Sequence, residues 1–416
     1  RFAASAEESL LANPEIEFAR NYADKDLKGL IYLSDATMKS IHALRSELPL
    51  LAKAYTEAMK ESDYFGDTAD IQKLINVVGE NSEFIFDLLP KTRLGVVMYL
   101  EDGFKMDSYL GKESAVFDLD SKRKLAALAN HDGAMISGNW IFKPEFTKNC
   151  SQLLESAATA TYQILQLAVE QDVHDDDWLE FVTNFRAADS EFSADLLRLW
   201  MQMKLGLTGL SDEHAIMLDL KGRMPTAIPN VPKQLKENGV VPRLAYASSV
   251  TKRPKLAKAW DEIAAVAKDI GNGIGKMTRE DITLPKPIVE QQAGIDLWNY
   301  KVEGLDKGYN PTLGLNDKLF FLSTTPSYIQ DLAKINADPS DAGAEFVVRL
   351  DPVREAANDW LKLFEKHGQD FLSEREWEEF LVAKPLIKKF IDVSNEAATL
   401  DIYTRKVDGE IRNTIH

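Results

Sequence analysis

Residues 243–267 read RLAYASSVTKRPKLAKAWDEIAAVA, and the order of signals in this stretch decides the fold class. An apolar strand runs into a turn, and a helix opened by Pro254 follows. Proline suits the first helical turn because the N–H it lacks would have no intrahelical partner there. Beyond it Leu256, Trp260, Ile263 and Ala264 recur at helical spacing and predict one buried stripe.

The same order returns in AMISGNWIFKPEFTKNCSQLLESA (134–157) and in EFVVRLDPVREAANDWLKLFEK (345–366). The prolines Pro144, Pro254 and Pro352 stand 110 and 98 residues apart. In the last copy Val353, Ala356, Ala357, Trp360 and Phe364 make the stripe. A copy without an opening proline, LKGLIYLSDATMKSIHALRSELPLLAKA (27–54), offers Ser34 or Asp35 as the helix cap.

Upstream of the later copies the chain predicts a further strand pair and a short helix, in 93–129, 214–239 and 294–335. Clear alternation in IDLWNYKV and LDIYTRKV predicts sheets with one wet face. The expected class is therefore α+β, with repeated strand-strand-helix-strand-helix modules of about 100 residues and mainly antiparallel sheets packed against long helices. The implied division is a helical N-terminal region with half a module (1–90), modules at 91–186, 187–290 and 291–397, and the first strands of an incomplete module at 398–416. Linking helices are expected near 68–89, 187–206 and 373–397.

The 416 residues suffice for a large core without disulfides or metals. With 49 Lys+Arg against 66 Asp+Glu, the net charge of −17 repels phosphate backbones and anionic lipid, so nucleic-acid binding is not expected. No stretch reaches the roughly 18–20 consecutive apolar residues of a membrane helix. The single cysteine, Cys150, reads as a small hydrophobe on a helix stripe. The chain opens on Arg1, and an export signal or anchor removed before it is the expectation; its end reads as the middle of a strand.

The runs DKLFFLSTTPSYIQDLAK and LDIYTRKVDGEIRNTIH resemble segments of uncharacterised exported proteins of Gram-negative bacteria known only as domains of unknown function. The resemblance covers mainly residues 213–416. It implies a periplasmic, outer-surface or secreted location and no particular activity.

Candidate chemistry is sparse. IGNGIGKMT (270–278) has three residues between Gly271 and Gly275 where a phosphate-binding loop needs four before Gly-Lys, and Met277 follows Lys276 where that loop has Ser or Thr. A helix C-terminus is the better reading. Asp172, His174, Asp175, Asp176 and Asp177 could supply oxygen ligands, but acidic residues before WLEFVTNF equally suit a helix N-terminus. His42, His131, His174, His214, His367 and His416 are scattered, with no pair at metal-binding helical spacing. No metal and no cofactor are expected.

More unusual is the basic group Lys252, Arg253, Lys255 and Lys258 at a helix start in an acidic chain. Cations there oppose the helix dipole. With Ser248, Ser249 and Thr251 they could meet an anion or an acidic partner; salt bridges to the acidic surface are the alternative. Trp298 and Tyr300 share a strand face and are candidates for carbohydrate contact, whereas Trp140, Trp178, Trp200, Trp260, Trp360 and Trp377 read as core. The expected function is a non-enzymatic exported protein that binds a protein or other macromolecule or scaffolds an envelope assembly. The alternatives are a hydrolase whose carboxylates converge only in the fold, and a small-molecule carrier.

Overall fold

A computed structural model describes residues 14–60, 79, 84–169, 176–223, 232–279, 286–301, 309–335, 339–393 and 399–416. It is α+β, and its sheets are antiparallel. The chain divides into two compact units, one of residues 1–118, 142–194 and 405–414, the other of 119–141, 195–404 and 415–416.

The first unit carries strands β1 (Asp26–Leu33), β2 (Leu94–Leu100), β3 (Phe104–Tyr109) and β15 (Glu410–Ile415), in the order β1-β2-β3-β15. Alternation in β2 buries Gly95, Val97 and Tyr99. Against that face lies a 3₁₀ helix, Pro14–Tyr22, which contributes Ile16, Phe18, Ala19 and Tyr22 to the core. Gly95 has no side chain because the Phe18 ring occupies the space a Cβ would need. Helices Asp35–Lys60 and Pro144–Ala168 also belong here.

The second unit holds the larger sheet. Its strands are β5 (Ile136–Ile141), β6 (Leu210–Arg223), β7 (Val240–Val250), β8 (Ile288–Gln292), β9 (Ile295–Asn299), β10 (Thr312–Leu315), β11 (Leu319–Ser323), β13 (Ala344–Arg349) and β14 (Thr399–Val407). They run in the order β14-β13-β5-β6-β7-β11-β10-β9-β8, and β4 (Lys122–Arg123) pairs separately with β12 (Ser340–Ala342). One face is covered by two short helices. Leu125, Leu128 and Ala129 from the helix Ala126–Ala129 and its approach, and Tyr328, Ile329 and Leu332 from Pro326–Leu332, pack on Ala215, Met217, Ala245, Ala247, Leu297 and Phe321. Thr325 caps the second of these helices, accepting from Tyr328 N, and Pro326 opens it. On the opposite face Leu256 and Trp260 of the helix Arg253–Thr278 meet Tyr246, Leu313, Leu315, Phe320 and Trp298.

Pro144, Pro254 and Pro352 all lie in first turns, of helices Pro144–Ala168, Arg253–Thr278 and Leu350–Phe371, and each helix follows a strand, β5, β7 or β13. Upstream of the second proline the described residues form one long strand, β6, and the short helix Lys233–Asn238, where the sequence predicts a strand pair. Linking helices are Asp176–Leu207 and Glu374–Val393; of the one expected near 68–89 only residues 79 and 84–89 are described. The glycines of 270–278 lie in the last turns of the helix Arg253–Thr278, the helix C-terminus read from the sequence. Gly271, Gly273 and Gly275 are buried inside the helix, which runs to Thr278 and ends on Arg279 in the left-handed region. Asp176 and Asp177 occupy a first helical turn, where they complement the dipole; Asp172, His174 and Asp175 lie outside the described residues.

Candidate functional site

The basic group sits where β7 passes into the helix Arg253–Thr278. Gly209, just beyond the helix Asp176–Leu207, anchors this junction: its carbonyl accepts from Thr251 N (2.8 Å), Thr251 Oγ1 (2.9 Å) and Lys252 N (3.0 Å). Ser248 Oγ donates inward to the Glu213 carbonyl at 2.8 Å, and Ser249 stands opposite Leu319 in the sheet. Arg253 pairs with Asp296 and, at 3.6 Å, with Asp317. The Thr251 and Ser248 hydroxyls and the Arg253 charge are therefore spent within the fold. Lys252, Lys255 and Lys258 remain exposed, so the chemistry left at the surface is cationic.

Trp298 packs partly buried against Leu313 and Leu315, and Tyr300 accepts a hydrogen bond from Trp260 Nε1 at 2.8 Å, ring edge to ring face. Burial raises the Tyr300 hydroxyl above its ordinary range. The two aromatics are thus divided between core packing and an internal hydrogen bond.

Beside the lysines runs the C-terminal half of the helix Asp176–Leu207. One side docks on the helix Arg253–Thr278: a Cβ at Gly206 would touch Ala259 at 3.4 Å, and Arg198 pairs with Glu262 (2.9 Å) and Asp269 (3.6 Å). The other side displays Leu196, Leu197, Met201, Met203 and Leu207, with Leu197 61% and Met201 60% exposed. A helix apolar on both sides normally has both sides covered.

The sequence reading missed a row of buried polar side chains on the short-helix face of the larger sheet. Asp219 on β6 stands opposite Arg243 on β7 and accepts from it through both carboxylate oxygens, at 2.9 and 2.6 Å. Arg243 also reaches Asp331 at 3.0 Å and lies 4.6 Å over the Tyr328 ring. The Tyr328 hydroxyl meets His131 Nε2 at 3.0 Å, while Gly133 N donates to His131 Nδ1. An imidazole that accepts at Nδ1 carries its proton on Nε2 and is neutral. Burial accordingly holds the His131 pKa below its ordinary value. Further along the row Arg123 pairs with Glu345 at 2.7 Å, and buried Glu213 accepts from Leu125 N and from Asn139. The only sequence signal was a charge inside an alternating apolar strand, as at Asp219 in AIMLDLKG.

The first unit has a comparable knot. Asp107, fully buried, accepts from Tyr22, Tyr99 (3.3 Å), Thr414 (2.6 Å) and Arg412. Burial pushes this carboxyl up, but the bonds from Arg412, Thr414 and Tyr22 outweigh it and hold it below the usual range. Among the described residues most of these groups are buried and internally bonded, the half-exposed Asp331 and the unpartnered Asn139 Oδ1 and Arg412 Nε excepted, and both networks act to specify packing. Cys150 is half-buried on its helix, and burial raises its thiol. Among the described residues no three His, Cys, Asp or Glu side chains are placed to hold a metal ion, and no helix is long and apolar enough to cross a membrane. Comparison with known proteins gave no match of the chain to a family model, a curated protein or a solved structure.

Proposed function

We propose that this chain is a non-enzymatic binding or scaffolding protein of the bacterial envelope or exterior, made of strand-strand-helix-strand-helix modules, and that it holds a macromolecular partner on the helix Asp176–Leu207. The observation that carries the reading is the outward Leu196, Leu197, Met201, Met203 and Leu207 surface on a helix whose other side is already packed. Exposed Lys252, Lys255 and Lys258 at the start of the neighbouring helix favour a partner with acidic groups around an apolar centre. The modular part rests on the three prolines in first turns after a strand. The exported location rests on the sequence resemblance alone, and cell fractionation tests it.

The binding reading is tested with a photo-cross-linking amino acid at position 201 of the full chain in its native cells. One discrete adduct is expected, lost when Leu197→Asp is added. A partner set unchanged by Leu197→Asp overturns it.

A second reading, hydrolase, has one observation in its favour. Burial raises the Asp401 carboxyl, and Glu345 lies on the adjacent strand. Hydrolysis of a broad ester and glycoside panel that Asp401→Asn abolishes would replace the binding reading.

A further inference from the structure

The helix Glu374–Val393 folds back on Leu350–Phe371 as a helical hairpin. Trp377 fills the space left at Gly368, the Phe364 and Phe380 rings lie 5.5 Å apart, and Glu365 receives Lys384 (3.0 Å) and Lys388 (3.1 Å). All of these are on one side of the helix. On the other side Arg375, Glu379, Val382, Leu386 and Lys389 follow one another at steps of four, three, four and three residues, the spacing of a coiled-coil seam. Every one is exposed, and the two central side chains are the most exposed apolar ones among the described residues of the helix, Val382 at 75% and Leu386 at 69%. Such residues on a seam with the opposite side already packed leave one apolar contact without a counterpart.

The charges say what fits there. Along this stripe Arg375 pairs with Glu379 within the helix at 2.9 Å, and from Glu379 onward the order is acid, apolar, apolar, base. A second copy of the same helix, laid antiparallel about a two-fold axis at the level of residue 384, sets Val382 against Leu386 of its partner and Glu379 against Lys389 of its partner. Both matches occur twice, as a two-fold axis requires. A parallel copy would set Glu379 on Glu379 and Lys389 on Lys389 and be repelled. We propose that the Arg375–Lys389 stripe is a homodimer interface in which two helical hairpins pair antiparallel into a four-helix arrangement. Five seam residues per copy fall at the low end of specific interfaces, below about 1,200 Å² in total, so the association is weak and concentration-dependent. The surface is separate from the one invoked for the macromolecular partner, and it stands or falls independently of that reading.

Sedimentation velocity of the full chain between roughly 5 and 200 μM spans the affinity expected of an interface this small. A monomer–dimer shift is expected, and a chain that stays monomeric throughout overturns the proposal. Leu386→Asp should abolish the shift with the circular dichroism spectrum retained; a dimer that survives it uses another surface, which also overturns the proposal. The register has its own test. Glu379→Lys alone and Lys389→Glu alone each place like charges at both flanks and should weaken the dimer at least about fivefold, the effect of like charges set opposite one another. Mixing these two variants restores opposite charges at both flanks, so a heterodimer of near wild-type affinity should form. Two variants that stay apart when mixed rule out the antiparallel pairing.

Discussion

Asp219 and Arg243 face each other across β6 and β7, joined by two parallel hydrogen bonds of 2.9 and 2.6 Å with both side chains buried. Breaking one side of a buried pair leaves a charge without its partner, which costs about 3–5 kcal/mol. Arg243→Ala should lower the urea stability by that amount. Arg243→Lys should recover little of it, because an ammonium cannot reproduce the two-pronged contact or lie over the Tyr328 ring. A lysine variant with wild-type stability would show that charge alone matters here.

His214 sets an acid limit. Its Nδ1 lies 2.6 Å from the Tyr246 hydroxyl, and burial lowers its pKa to about 4. Because the folded value is below the ordinary value, the unfolded chain takes up the proton first as the pH falls. The stability is therefore complete above about pH 6.5 and declines down to about pH 4. His214→Gln should reduce the loss between pH 7 and 4.5 by about 2 kcal/mol. Equal pH slopes for variant and wild type would assign the acid sensitivity elsewhere.

Asp107 acts in the same direction at lower pH. Its folded pKa is depressed, so its contribution is present above the ordinary carboxylate range and is lost as the pH falls through the folded value. Arg412→Met should destabilise the first unit by about 3–5 kcal/mol, since it strips the counter-charge from a fully buried carboxylate. Hydrogen exchange should show this as faster exchange of the β2 and β3 amides. Unchanged protection in both strands would mean the Asp107 knot does not hold that unit.

At the basic junction the two kinds of cation should separate. Lys252→Ala with Lys255→Ala should leave thermal stability within about 0.5 kcal/mol, as is usual for exposed residues. Arg253→Ala breaks contacts to Asp296 and Asp317 that are partly open to solvent and should cost up to about 1 kcal/mol. In binding to an acidic partner the order should reverse, with the lysine pair dominating affinity and its salt dependence. Equal effects of both variants on binding would remove the lysines as a distinct surface.

Local signals determined a good deal of this protein. Prolines at 144, 254 and 352 mark first helical turns because their geometry depends only on their own residue. Alternation in LDIYTRKV and in the first five residues of IDLWNYKV identifies strands for the same local reason. What a charged or hydroxylated side chain does was not legible, because that depends on what lies opposite. Arg253 reads as an open cation until Asp296 and Asp317, more than forty residues on, arrive beside it. Thr251 reads as a donor for an anion until the Gly209 carbonyl accepts its hydrogen bond. Asp219 and Arg243, 24 residues apart, become a pair only in the β6–β7 register, and Arg123 finds Glu345 across 222 residues. Backbone preference is settled within a few residues, whereas desolvation and charge pairing are properties of the neighbours that the tertiary structure supplies.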